Sequence, residues 1–300
     1  MRQRADGEDL TSTESNARAR IGDLITVQGR RVHVRQDGPC DGKPILLLHG
    51  FEGSVHWWDA VTPLLADTYR VIRVDLLGFG CTGGEAGFGQ DGQGSMLAAV
   101  LDELGLAKVA VCGHSWGADA ALAVAARSPR ITEIIILDQA PDLSYLRVPA
   151  ITPVLTLGPI ARFIQRFAPE AMVRQALREG FAPGFNTSGI VPSMRQMIQD
   201  HRAMSWRAYR EVSTVRRRAL AADPLDRQLR RLALPSLVIH GRLDSMYDWA
   251  TTRDRYTTAG ARFELIDTAG HSPNIETPQR FTEILREFLL APTAPTPIGD

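Results

Sequence analysis

Three hundred residues with 44% hydrophobic content are enough for one large core, or for a core carrying an inserted subdomain, which excludes disorder for the bulk of the chain. Lys plus Arg equals Asp plus Glu at 34 each, so the net charge gives no reason to expect nucleic acid or an anionic membrane as a partner. The three cysteines, Cys40, Cys81 and Cys112, are odd in number and have neither C-x-x-C nor metal-ligand spacing, which predicts free thiols and no metal site.

Residues 1–20 are polar and charged, without the apolar stretch of a secretory signal, and read as a disordered leader. With no run of about 18 apolar residues elsewhere, the expected location is the cytoplasm. From Ile21 the pattern becomes that of a fold. Asp23 to Arg30 and Arg31 to Arg35 alternate about a Gly29-Arg30 turn, as in an antiparallel hairpin. Pro44 to Leu48 is continuously apolar, as expected of a strand buried on both faces of a parallel sheet. One helix is predicted after Ser54, with Trp57, Trp58, Val61, Leu64 and Leu65 at helical spacing, and Tyr69 to Asp75 returns as a strand.

A Gly-rich stretch from Gly84 to Gly94 leads to a helix ending near Leu106, followed by a strand at Lys108 to Cys112 and another at Ile131 to Asp138. Strands alternating with helices predict an α/β fold with a doubly wound, mostly parallel sheet and helices on both faces. The alternation stops over 141–232, where helical segments are predicted at Ile160 to Phe167, Glu170 to Glu179, Pro192 to Arg202 and Trp206 to Leu220. This stretch reads as an inserted helical cap on a core of 21–140 and 233–290. Residues 141–233 hold 15 Arg against 7 Asp plus Glu, so the cap is net +8 and the rest of the chain net −8. That asymmetry fits an acidic substrate drawn under the cap, or a solvated helical surface. Strands resume at Pro235 to His240 and Ala261 to Ile266, a closing helix covers Pro278 to Leu290, and 291–300 reads as a flexible tail.

The chain's chemistry centres on Gly113-His114-Ser115-Trp116-Gly117, which joins a β-branched strand directly to the helical run from Ala118. G-x-S-x-G in that setting is a nucleophile elbow: a Cβ two residues to either side would obstruct the sharp turn that lifts the serine Oγ to the tip of the sheet. Catalytic groups in such sheets lie beyond the carboxyl ends of the strands. There His271, in a Gly-Pro-flanked turn, is the candidate base, and Asp244, after Gly241-Arg242-Leu243, the candidate acid that accepts its Nδ1–H. Asp138, at its own strand end, competes for the acid role. The oxyanion hole requires two amides, assigned to Trp116 and to Phe51 in the turn His49-Gly50-Phe51-Glu52-Gly53. His49, His114 and His240 read as packed, hydrogen-bonded imidazoles, and Asp75 as a turn former. The cap residues Phe163, Phe167, Met172, Met194, Met197 and Trp206 read mostly as helix packing.

His49-Gly50, Asp75-x-x-Gly78-x-Gly80, the elbow, Gly241-x-x-Asp244 and Gly270-His271, in this order, resemble the α/β-hydrolase superfamily, in its capped branch of esterases and carbon-carbon hydrolases, over about 22–290. The resemblance implies an eight-stranded core and a lid, with Ser115, Asp244 and His271 as nucleophile, acid and base. Siblings with an aspartate at the elbow, the dehalogenases and epoxide hydrolases, are excluded by Ser115. Two departures, Cys81-Thr82 after Gly80 and Ser245-Met246-Tyr247-Asp248 after Asp244, leave the subfamily open. The expected activity is cofactor-free cleavage of a small-molecule carboxylic ester through an acyl-enzyme, with no nucleic acid or membrane partner and the oligomeric state undetermined. The alternatives are a carbon-carbon hydrolase using the same triad and a non-catalytic ligand-binding protein on the same scaffold.

Overall fold

In the computed structural model, which describes residues 22–147, 162–163 and 166–291, strand β1 (Asp23–Val27) turns back on β2 (Arg30–Asp37). The turn is Gln28-Gly29 rather than Gly29-Arg30: Val27 pairs with Arg30, and both turn residues have positive φ, 49° and 74°. Two successive left-handed residues match the twist of the paired strands, which a common type I turn does not. The expected leader at 1–20 lies outside the described residues, as does the expected tail beyond Ala291.

Six further strands complete one eight-stranded sheet: β3 (Lys43–Leu48), β4 (Tyr69–Val74), β5 (Val109–His114), β6 (Ile131–Leu137), β7 (Ser236–Gly241) and β8 (Arg262–Ile266). Their order is β1-β2-β4-β3-β5-β6-β7-β8; β2 is antiparallel to β1 and to β4, and every other pairing is parallel. Alternate residues of the central strands feed two separate cores. Leu46, Leu48, Val109, Val111, Ile134 and Ile136 face one, while Ile45, Leu47, Ala110, Cys112, Ile135 and Leu137 face the other, all at 0% exposure. The unbroken apolar runs therefore reflect burial on both faces. Each large side chain fully buried in this way contributes about 1.5–3 kcal/mol relative to exposure.

The first core is covered by α2 (Gln90–Glu103) and α3 (Trp116–Ala125), the second by α1 (Thr62–Leu65) and the closing helix α11 (Pro278–Leu290). Helix α2 begins inside the Gly-rich stretch and not after it. A Cβ on Gly94 would press on the Ala123 backbone at 2.8 Å, so this glycine serves the close approach of α2 to α3. The single helix expected after Ser54 is instead a 3₁₀ turn at Val55–Trp58, capped by the Ser54 hydroxyl, and then α1, which has Pro63 in its first turn. Trp58 packs near Phe281 in the second core, while Trp57 stacks on His114 at 5.8 Å.

Between β6 and β7 the described residues form α4 (Glu170–Arg178), α5 (Met194–Ala203), α6 (Trp206–Arg210), a π-helical turn at Glu211–Val215, α7 (Arg216–Ala222) and α8 (Leu225–Leu232). Helix α8, beyond the expected segments, buries Leu225 and Leu229. A polar helix, α9 (Trp249–Thr258), was also unforeseen; Asp248 caps it by accepting from Thr251 N–H at 2.8 Å. The short α10 (Pro273–Glu276) follows β8. Of the expected Ile160 to Phe167 helix, residues 162, 163, 166 and 167 are helical and the others lie outside the described residues. Phe163 and Phe167 set their rings 5.1 Å apart but stay exposed, as does Met172, whereas Met194 and Met197 are buried. Among the described residues, no helix is long and apolar enough to cross a membrane.

Candidate active site

Ser115 stands between β5 and α3 with φ 49° and ψ −120°, a conformation that side chains other than glycine's rarely adopt. The flanking glycines allow it. A Cβ on Gly113 would fall on the Gly117 carbonyl, and one on Gly117 on the Leu48 carbonyl of neighbouring β3. The Ser115 N–H donates to Leu137 O at 2.8 Å, tying the elbow to the end of β6.

The loops after β7 and β8 bring their candidates to this serine. His271 Nε2 lies 3.1 Å from Ser115 Oγ, and His271 Nδ1 lies 2.9 Å from Asp244 Oδ2. Asp244 is 5% exposed and also accepts the Met246 N–H at 2.7 Å. Burial works to raise its carboxyl, but the adjacent His271, by charge and hydrogen bond, together with His240 and the Met246 amide, holds it below the usual carboxylate range.

Asp138 does not bond to His271. Its Oδ1 accepts the Gly241 N–H at 2.9 Å and lies 3.2 Å from His240 Nδ1, while its fully buried Oδ2 has no hydrogen-bond partner. Burial, reinforced by the nearby Asp244 charge, pushes Asp138 well above the usual range. Two neighbouring buried carboxyls disfavour each other's ionisation, and it is Asp138 whose carboxyl is driven up.

The turn after β3 closes through Gly53 N–H to Gly50 O at 3.2 Å, with Phe51 and Glu52 at its corners. Glu52 has φ 65°, which costs a non-glycine residue about 1 kcal/mol. His49 shapes the turn from below: its Nδ1–H donates to Gly50 O at 2.8 Å and its Nε2 accepts the Leu76 N–H at 3.0 Å. Trp116 is the first residue of α3, so its N–H has no acceptor within that helix.

Ser115, His271 and Phe51 line one cavity of about 1270 Å³. Much of its described wall comes from Ala176–Phe185, and not from the cap aromatics singled out in the sequence. Phe181, Phe185, Leu177, Met246 and Trp57 make it largely apolar, while Arg147, Arg178, Glu52 and Glu179 supply charge. Among the described residues, two trios bring possible metal ligands within 4.8 Å of one another: Asp138, Asp244 and His271, and His33, Asp75 and Cys81. Neither is visible as a sequence spacing. Asp244 and His271 are bonded to each other, and Asp75 already accepts from Val55 N–H, Cys81 N–H and His33 Nδ1, each at 2.7 Å.

His114 is packed and hydrogen-bonded as the sequence predicts, whereas the role of Glu276 escaped the sequence reading. The buried His114 donates from Nε2 to the His271 carbonyl at 2.7 Å; burial, helped by the neighbouring His271, pushes its imidazole down to about 3, so it is neutral. Glu276 accepts from the Gly270, Ser272 and Ala182 amides at 3.0, 3.1 and 2.8 Å. It thereby ties the loop of His271 to the cavity wall. The His271 N–H itself donates to Gly180 O at 3.0 Å. Such partners carry no local motif: Glu276 stands four residues after Ser272, one more than a capping box requires, and the Ser272 side chain caps nothing.

A family model described as the alpha/beta hydrolase fold matches residues 43–278. A 2-hydroxy-6-oxo-2,4-heptadienoate hydrolase of Pseudomonas putida is 26% identical over 297 residues, covering 92% of this chain and 99% of its own. A pimeloyl-[acyl-carrier protein] methyl ester esterase of Aeromonas hydrophila is 28% identical over 263 residues, covering 83% of this chain and 96% of its own. Among solved structures, an esterase from Exiguobacterium antarcticum superposes with a TM-score of 0.75 at 20% identity, over 90% of this chain and 100% of its own, a likeness of fold.

Proposed function

This chain belongs to the α/β-hydrolase fold family, and from that premise we propose that it is a cofactor-free serine hydrolase that cleaves a small-molecule carboxylic ester through an acyl-enzyme. The observation that carries this proposal is the hydrogen-bonded line from Ser115 Oγ through His271 to Asp244 at the wall of a large, mostly apolar cavity.

In this mechanism Ser115 Oγ attacks the ester carbonyl carbon while His271 Nε2 takes its proton. Asp244 holds the imidazole by Nδ1–H and stabilises the imidazolium. The Phe51 and Trp116 amides receive the negative charge that develops on the carbonyl oxygen. As the tetrahedral intermediate collapses, His271 returns the proton to the leaving alcohol. Water, deprotonated by His271, then attacks the acyl-enzyme and releases the acid and Ser115.

The division into a core of 21–140 and 233–290 and a cap of 141–232 belongs to the same proposal, supported by the helices between β6 and β7 that furnish part of the cavity wall. A cytoplasmic location is supported by the exposed thiol of Cys40, which fits a reducing compartment.

The test is turnover of a chain-length series of p-nitrophenyl esters by the wild type and Ser115→Ala, with fluorophosphonate labelling of Ser115. We expect turnover and labelling in the wild type and neither in the variant. A folded Ser115→Ala protein with full activity would falsify the assignment, and a wild type that resists labelling would favour ligand binding without catalysis. Carbon-carbon cleavage of a vinylogous diketone is the second chemistry, favoured by Arg147 and Arg178, which line the cavity and suit a substrate carboxylate. Adding one diketone acid and one acidic ester to the series separates the two.

A further inference from the structure

The turn that carries the Phe51 amide is gripped by the helices between β6 and β7. Two of its residues, and Ser54 immediately after it, each meet a side chain from that region. The Phe51 ring lies 5.6 Å from the Tyr209 ring, Glu52 Oε1 lies 3.2 Å from His201 Nδ1, and Ser54 donates its hydroxyl to Asp200 Oδ2 at 2.9 Å. Asp200 and His201 are adjacent on α5, and both are buried. Gln196, one helical turn earlier, fixes Asp200 by donating to its Oδ1 at 2.9 Å. Ser54 in turn accepts the His56 N–H at 3.2 Å, so one hydroxyl links α5 to the 3₁₀ turn that follows.

This grip coincides with backbone strain. The Gly50–Gly53 turn has the form that favours glycine at its third position, yet Glu52 occupies that position with φ 65°. A strained residue persists only where its surroundings over-determine it, and such residues gather where a group must be held in place. Here the group is the N–H of Phe51, the residue before Glu52.

We propose that Asp200 and His201 are positioning residues that clamp the strained turn and keep the Phe51 amide aimed at the forming oxyanion. The inference rests on the hydrolase reading above and deepens it. Neither side chain is among the described residues that line the cavity, so each acts through the turn and not on the substrate. Helix α5 is thereby part of the oxyanion site as well as part of the cap. Burial raises the Asp200 carboxyl to about 7, against the hydrogen bonds from Gln196 and Ser54; asparagine keeps an acceptor for Gln196 and can hold Ser54 Oγ by a bond of reversed direction.

The experiment compares wild type with Asp200→Ala, Asp200→Asn and His201→Ala. End-point titration with a fluorophosphonate counts competent serines, and p-nitrophenyl acetate hydrolysis per competent site gives kcat and KM. A lost oxyanion donor lowers kcat by about 10²–10³-fold, so a loosened one is expected to lower it by roughly tenfold or more in the two alanine variants while KM changes little. Asp200→Asn should recover most of the loss. Backbone amide exchange over residues 50–54 should quicken in both alanine variants. If Asp200→Ala does not fold, His201→Ala carries the test. The proposal is overturned if the alanine variants keep kcat per competent site within about twofold of wild type and exchange at 50–54 is unchanged. A wild type that neither turns over ester nor titrates overturns the hydrolase reading instead, and amide exchange then decides on the clamp by itself.

Discussion

Arg216 of α7 forms a two-pronged salt bridge with Asp119 of α3, Nε to Oδ1 at 2.8 Å and Nη2 to Oδ2 at 2.6 Å, with both side chains buried. The guanidinium also lies over the Trp116 ring, 5.3 Å from its centroid. The pair thus pins a helix between β6 and β7 to the first turn of the helix that begins at the elbow. Removing one partner strands a buried charge. Arg216→Ala should cost about 3–5 kcal/mol in urea unfolding, whereas the double variant Asp119→Leu with Arg216→Met should recover much of it. Equal losses in the two proteins would show that the attraction between the charges exceeds the cost of burying them.

Ser115 holds an unfavourable backbone conformation in order to present its hydroxyl. Ser115→Gly should abolish ester turnover yet raise stability by ~1 kcal/mol, because the strain, of order 1–3 kcal/mol, exceeds the entropic cost of glycine. Thermal unfolding of Ser115→Gly beside Ser115→Ala checks this. A glycine variant less stable than the alanine one would mean that the elbow is not strained.

The two buried carboxyls near His271 should respond in opposite ways to amide substitution. Asp244→Asn removes the acceptor that fixes the His271 tautomer, and kcat should fall by about 10⁴-fold. Burial pushes the Asp138 carboxyl up, and it accepts only the Gly241 N–H and lies near His240, so Asp138→Asn should stay within a few-fold of wild type. The reverse ranking in steady-state kinetics would reassign the acid to Asp138.

The buried imidazoles should draw stability down on the acid side of neutrality, against Asp138 and Asp200, whose raised carboxyls favour the folded state as pH falls. Burial lowers the imidazoles of His114, His49 and His240, His114 to about 3. A group whose folded value lies below its unfolded value of about 6.5 contributes fully above that pH, and its contribution is lost as pH falls through the interval, since the unfolded chain binds the extra proton. His56 is shifted the opposite way: despite burial, Asp59 raises it, so its contribution is complete below about 6.5 and is lost as pH rises through its folded value. Between pH 7.5 and 5 the urea midpoint of the wild type should therefore lose more, or gain less, than that of His114→Gln. Parallel pH profiles would sink the prediction.

How much of this was legible in the sequence depended on how far apart the interacting groups lie in the chain. Ile45 to Leu48, Val109 to Cys112 and Ile134 to Leu137 announce themselves because burial on both faces demands unbroken apolar runs. The elbow glycines are equally plain, since the Gly113 and Gly117 Cβ positions are taken by backbone. Ser115, His271 and Asp244 could be named because each ends or follows a strand, and the parallel sheet brings those ends together. The strain at Glu52, the three amides gathered by Glu276 and the cavity wall at 176–185 depend on partners far away in sequence, and no local pattern encodes them. Helix α9 escaped notice because it is polar along most of its length; only Thr252 and Tyr256 turn inward.

The hydrogen bond from the His271 amide to the Gly180 carbonyl ties the proposed base to the same stretch of chain that shapes the cavity. Substrate range and turnover are therefore not independent traits in this molecule. A drift in sequence around 176–185 that admits a new substrate also shifts the imidazole that must act on it, so new specificities are expected to arise slowly and with compensating changes near Gly270. For anyone regrafting the region between β6 and β7 onto a related core, residues 180–182 are the part to carry across intact.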